Sequence, residues 1–110
     1  MLFEINNEVI NMAVDANKEI RRAVDTGKVS FGLKTCQKNL MQGVGELIIV
    51  SNNMPLNEKE KLEQLAKTEN KRFFVYQDTG LALGSICGKP FVVSAMVILD
   101  KGKSKVLEVE

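Results

Sequence analysis

Gly32, Lys34, Thr35 and Lys38 are the residues of this chain best placed to do chemistry together. They lie in the stretch Lys28-Val29-Ser30-Phe31-Gly32-Leu33-Lys34-Thr35-Cys36-Gln37-Lys38. A short β-type run ends at Gly32, and Leu33, Cys36, Leu40 and Val44 then recur at helical spacing. The first turn of that helix carries Lys34 and Thr35 beside backbone N–H groups with no partner inside the helix. Those donors and the positive end of the helix dipole both favour an anion. Gly32 has no side chain to keep a large ligand off the backbone. Lys34 and Lys38, four apart, share a face. A plain strand-to-helix turn with solvated lysines would use the same residues, so the stretch gains weight only beside others.

Two further stretches offer complementary tools. Asn52-Asn53-Met54-Pro55 supplies side-chain amides, which both donate to and accept from a base edge. Asn53 is equally a turn former. Gly88-Lys89-Pro90-Phe91 supplies a cation for phosphate and a ring to stack or wedge against a base. Phe91 is equally a core residue.

The tools for covalent chemistry are missing. The sequence contains no histidine, which removes Ser–His and Cys–His pairs and the commonest metal ligand. No carboxylate pair stands on the candidate loops, and Asp78 reads better as a helix cap. Gly80, Gly84, Gly88 and Lys89 invite a phosphate-loop reading, but Leu83 stands where the Walker pattern needs glycine and Pro90 where it needs Ser or Thr. Their four-residue spacing instead suits a helix packed closely on a sheet. Cys36 and Cys87 sit on apolar stripes, form no C-x-x-C pair and read as reduced core thiols of a cytosolic protein. No cofactor or metal is expected.

With 110 residues the chain has room for one real core but not two. An apolar fraction of 45% and a charged fraction of 26% fit an ordinary soluble domain. The net charge of +1 does not by itself announce a nucleic-acid partner. The charge is uneven, however: six bases face three acids between residues 15 and 42, whereas three bases face four acids between residues 56 and 70. One end of the domain is therefore expected to be the more basic. The apolar run over residues 91–99 is too short to span a membrane, and the N-terminus lacks the order of a signal peptide.

The elements that must position these residues follow from periodicity. Residues 1–12 read as a loosely attached extension, with Met12 an alternative start, and residues 13–110 as a single domain. Ala13, Ala16, Ile20, Ala23 and Val24 line one helical face, with Lys18, Glu19, Arg21 and Arg22 mostly away from it, and Asp25-Thr26-Gly27 ends the helix. A short strand over residues 28–32 and a helix over residues 33–42 follow. Leu47-Ile48-Ile49-Val50 reads as a strand covered on both faces. A third helix starts at Asn57, with Glu60 in capping-box spacing. A strand over residues 72–77 precedes a short helix capped by Asp78 or Thr79 and bearing Leu81, Leu83, Ile86 and Cys87. Residues 91–99 form the second buried strand, and residues 106–109 a short final strand or tail. This alternation of helix and strand implies a central sheet with helices on both faces, a three-layer α/β/α sandwich. Ligands of such sheets sit outside strand ends, where the three loops can share an edge.

Three ordered motifs carry a resemblance. They are Asp25-Thr26-Gly27-Lys28-Val29 with Gly32, Glu46-Leu47-Ile48-Ile49-Val50 with Asn53 and Pro55, and Leu83-Gly84 with Gly88-Lys89-Pro90-Phe91. Over residues 13–109 the chain resembles the large-subunit ribosomal protein L30e family, of archaeal type, within the kink-turn RNA-binding L7Ae superfamily. The resemblance implies an α/β/α sandwich around a four-stranded mixed sheet, no enzymatic activity and a bent ribosomal RNA element built on tandem sheared G·A pairs as ligand. It implies that Gly32 and Lys34 approach the G·A region, that Asn53 bonds a guanine edge and that Phe91 meets an unstacked base. Thr35, Lys38 and Lys89 would be supporting or phosphate contacts. Implied partners are ribosomal RNA and neighbouring large-subunit proteins, for a cytoplasmic, ribosomal protein that is a monomer outside the ribosome. Two departures stand out. Box C/D relatives carry Asn-Glu where this chain has Lys34-Thr35, which favours the ribosomal branch. Glu58 stands where some relatives place a base, so that position makes no phosphate contact. The alternatives are the same module in another ribonucleoprotein or a messenger-binding regulator and, remotely, a small nucleotide-binding enzyme.

Overall fold

The computed structural model describes residues 16–108. The expected extension over residues 1–12, the expected domain start at 13–15 and the chain's last two residues lie outside them. Helix α1 (Ala16–Thr26) leads through Gly27 into strand β1 (Lys28–Phe31), and α2 (Leu33–Met41) leads to β2 (Leu47–Val50). Helix α3 (Leu56–Thr68), β3 (Arg72–Val75), α4 (Gly80–Ile86) and β4 (Ala95–Asp100) follow, and a 3₁₀ turn at Val106–Glu108 ends the described chain.

The sheet is mixed, in the order β1-β4-β2-β3: β4 is antiparallel to both neighbours, and β2 and β3 run parallel. Side chains alternate across a strand, and that period divides the core. Leu47, Ile49, Met96 and Ile98 face α1 and α4, joining Ile20, Ala23 and Leu83. Ile48, Val50, Ala95 and Val97 face α2 and α3, joining Cys36, Leu40 and Leu62. The fold is the expected three-layer sandwich. Because both faces of β2 are covered, all four of its residues are buried.

Several local expectations change. Strand β4 begins at Ala95 rather than Phe91, because residues 91–93 run beside α4 instead of joining the sheet. Val93 N–H donates to the Gly80 carbonyl at 2.9 Å, and a Cβ on Gly84 would overlap the Phe91 carbonyl. The small residues of α4 thus admit this incoming strap and not the sheet. Of the apolar residues on α4, Leu83 is buried and Leu81 is 67% exposed. The final segment is a 3₁₀ turn and not a strand, since Val106 packs into the α1 core and the Arg72 guanidinium donates to the Leu107 carbonyl. Glu19, expected on the outer face of α1, is buried. Its carboxylate accepts the Lys105 N–H at 2.7 Å and lies 3.7 Å from Arg22, tying the C-terminal segment to the helix. At α3, Pro55 holds the N-cap position without a side-chain bond, so Asn57 caps nothing. Thr79 does cap α4, its hydroxyl accepting the Ala82 N–H at 3.2 Å.

Candidate nucleic-acid interface

The register places the C-terminal ends of β1, β2 and β3 and the start of β4 on one edge. Phe31 pairs with Met96, Val50 with Ala95, and Val75 with Val50. Backbone hydrogen bonds then lace the loops of that edge together. Gly32 N–H donates to Ala95, Ser51 N–H to Ser94, and Asn52 N–H to Asp78, each at 2.9 Å. The first two candidate loops therefore share one side of the sheet, and the third joins them through Phe91 and Lys89, which pack on Phe31 at the end of β1. Gly32 and the residues after β2 are separated by two strand spacings, roughly 10 Å.

Gly32 is the N-cap of α2 with φ 106° and ψ 146°, a left-handed conformation that favours glycine, and no side chain caps the helix. Lys34, Thr35 and Lys38 are exposed, and neither lysine forms an ion pair among the described residues. The free N–H groups at this helix start stand beside Lys34 at the sheet edge. Lys38 lies one turn further along the helix.

Phe91 is 48% exposed, and its ring meets Phe31 edge-on with centroids 6.1 Å apart. Lys89 Nζ stands 5.3 Å from the centre of the same Phe31 ring. Phe31 thus gathers Lys89 and Phe91 next to Gly32. Sequence reasoning missed it, although its signal was visible: an aromatic ending a strand immediately before the loop glycine.

Asn53 is exposed, yet its Oδ1 accepts the Gly80 N–H at 3.2 Å. With that oxygen engaged, the exposed side chain has its Nδ2 donors left for a ligand rather than a mixed amide edge. Lys59 Nζ donates to the Asn52 carbonyl at 3.1 Å and adds a cation behind the loop. Neither the Gly80 nor the Lys59 contact carried a sequence signal, because both depend on how α3 and α4 leave the sheet edge.

Both thiols are free and buried. Burial pushes Cys36 up to about 12 and Cys87 up to about 11, the latter partly offset by the charges of Lys89 and Arg21. Protonated at neutral pH, they are neither nucleophiles nor ready ligands. Among the described residues no group of three or more His, Cys, Asp or Glu could hold a metal, and no helix is long and apolar enough to cross a membrane. The edge offers backbone and amide donors, lysines, and the exposed apolar surfaces of Phe91, Val92 and Leu81. It suits a ligand that is anionic, rich in acceptors and partly flat.

Comparison with known proteins agrees in kind. The model of the "Ribosomal protein L7Ae/L30e/S12e/Gadd45 family" matches residues 14–108. The chain is 42% identical over 95 residues to large ribosomal subunit protein eL30 of Methanocaldococcus jannaschii, covering 86% of each chain. It is 42% identical over 97 residues to the protein of that name from Methanococcus maripaludis, covering 88% of this chain and 92% of the relative. Against that of Methanothermobacter thermautotrophicus it is 41% identical over 95 residues, covering 86% and 97%.

Proposed function

The chain belongs to the ribosomal protein L7Ae/L30e/S12e/Gadd45 family, and from that premise we propose that it is a structural protein of the large ribosomal subunit that binds a kink-turn in ribosomal RNA through its strand-end loops. Like its relatives it is a non-enzymatic protein. The observation that carries the reading is the meeting of all three loops at one sheet edge, two of them through backbone hydrogen bonds and the third through Phe91 and Lys89 against Phe31. On this reading residues 13–110 are one RNA-binding domain. The protein works in the cytoplasm on the ribosome, beside neighbouring large-subunit proteins, and is a monomer when free.

The roles divide by chemistry. The amides after Gly32, with Lys34, approach the phosphates of the G·A region, where helix-start donors and a cation act together. Asn53, its oxygen held by Gly80, donates from Nδ2 to a guanine, whose O6 and N7 are acceptors. Phe91 lies against an unstacked base, while Thr35, Lys38 and Lys89 supply supporting and phosphate contacts. Specificity then comes from the base edge and from the cost of bending RNA, and affinity from phosphates.

A gel-shift titration at fixed moderate salt tests the reading. It compares a short kink-turn RNA with the same RNA whose G·A pairs are replaced by Watson–Crick pairs. A strong preference for the kinked RNA is expected. Equal binding to both would reduce the edge to a non-specific attractor of phosphate and refute the roles given to Asn53 and Phe91. Co-sedimentation with large subunits tests the cellular setting separately.

A further inference from the structure

We propose that Arg21, a residue of α1 and not of the three loops, is the positioning residue that holds residues 88–91 in the conformation presenting Lys89 and Phe91. This rests on the RNA-binding reading above for its functional consequence, but not for its geometry.

Gly88 has φ +73°, and its α-carbon is covered by the Arg21 guanidinium. A Cβ built there would meet Nη1, Cζ and Nη2 at 3.0, 3.2 and 3.3 Å. Three atoms of one planar group at nearly equal distance mean that the guanidinium lies flat over the glycine. Nη1 also points at the Ile86 carbonyl at 3.5 Å, one of the acceptors left open at the end of α4. On its other side, Nε faces both Asp25 carboxylate oxygens at 3.2 and 3.1 Å. Asp25 therefore fixes the plane, and the plane fixes the turn. From that turn the chain carries Lys89 over Phe31 and Phe91 against the same ring. Only a planar, forked cation can do this, because an ammonium group lacks the flat face and the second donor direction.

The test measures affinity for the kinked RNA across a salt series, together with backbone amide relaxation and the Phe31–Phe91 nuclear Overhauser contact in the free protein. Arg21→Ala and Arg21→Lys should both lose about two- to fivefold in affinity, the size of a helix-terminus charge contact, with the salt slope unchanged. Lys89→Ala, by contrast, should lower the slope by about one. Asp25→Ala gives the sharpest contrast. Removing an acid near RNA should tighten binding on electrostatics alone, whereas loss of positioning should weaken it. In the free protein each Arg21 variant should weaken the Phe31–Phe91 contact while leaving the thermal midpoint within a few degrees.

Wild-type affinity in Arg21→Lys, tighter binding in Asp25→Ala, or a slope reduced by about one in Arg21→Ala would each overturn the positioning role. So would an unchanged ring contact and unchanged relaxation at residues 88–91 in Arg21→Ala. That last arm needs no RNA. If the wild-type protein fails to prefer kinked RNA, the functional reading falls while the positioning claim is still decided.

Discussion

On the proposed reading Asn53 performs two tasks with two ends of one amide, and a pair of substitutions separates them. Its Oδ1 accepts the Gly80 N–H at 3.2 Å, one of the donors left open at the start of α4. Its Nδ2 hydrogens are left for the proposed guanine acceptor. Asn53→Asp keeps an oxygen for Gly80 and adds negative charge at a helix start. That is worth about 0.3 kcal/mol at the N-terminus of so short a helix, the low end of the usual range. Folding stability in urea should therefore hold or rise slightly. The same change removes both Nδ2 donors and places a carboxylate against the RNA. A lost bidentate base contact costs roughly 1–3 kcal/mol, or about five- to 150-fold in Kd, and repulsion adds to it. Asn53→Ala loses the donors without the repulsion, and it also frees the Gly80 N–H. Gly80 is a buried residue, so leaving its N–H unpaired should cost roughly 1–3 kcal/mol of stability. The order in RNA binding is thus wild type, Ala, Asp, and the order in stability is Asp at or above wild type, then Ala. Urea unfolding without RNA and gel-shift titration with kinked RNA measure the two series. Wild-type affinity in Asn53→Asp would refute the donor role. Equal destabilisation by Asp and Ala would refute the bond to Gly80.

Other perturbations have signs that the structure decides. Gly84→Ala should destabilise by about 1–2 kcal/mol, since overlap with the Phe91 backbone, well inside 3.0 Å, outweighs the ~1 kcal/mol helix preference of alanine; a urea midpoint at or above wild type would contradict it. Ser51→Ala should be neutral or stabilising in the same assay, because its hydroxyl is fully buried with no partner; a loss beyond about 1 kcal/mol would mean that a partner is bound there. Glu19→Ala should cost roughly 1–3 kcal/mol and speed hydrogen exchange at Lys105, whose N–H loses its acceptor, while Glu19→Gln recovers most of it. Both buried thiols have folded pKa values above the ordinary 9.0, about 12 for Cys36 and about 11 for Cys87. The unfolded chain then loses protons first, so stability is fully present below pH 9, falls as pH rises above it, and levels off above 11 to 12. A Cys36→Ala/Cys87→Ala double variant should flatten that decline in urea midpoint.

The layers of the fold were legible because strands and helices betray themselves by different periods. Leu47 to Val50 could only be a strand covered twice, and Ile20 with Ala23 could only be one helical face. Legibility ended where a non-local partner reversed a local preference. Glu19 has the composition of a surface residue, and nothing nearby in sequence hints that Lys105 would bring a buried N–H to it. Residues 91–94 are as β-branched and apolar as a strand, but the glycines of α4 open a channel that draws them out of the sheet. At the candidate interface, residue types and loops were readable and their coupling was not. Gly32, Asn53 and Phe91 could be chosen from the sequence, whereas Phe31 as their aromatic support and Gly80 as the partner of Asn53 needed coordinates.

That coupling also argues for how the edge keeps its shape. The approach to β4 ties the loops after β1 and β2 to the start of α4: Ala95 accepts from Gly32, Ser94 from Ser51, and Val93 donates to Gly80, which in turn holds Asn53. Because β4 pairs with both β1 and β2, it sits between the start of α2, proposed to face phosphate, and the Asn53 amide, proposed to face a base. Gly32, where α2 starts, and the loop after β2 are both pinned to the approach to β4 by backbone hydrogen bonds. Before any ligand arrives, the spacing between the start of α2 and the Asn53 loop is therefore set by strand geometry. If the proposed roles hold, a preset spacing of this kind discriminates by shape, because an RNA must bring a phosphate and a guanine edge to that separation or bend until it does.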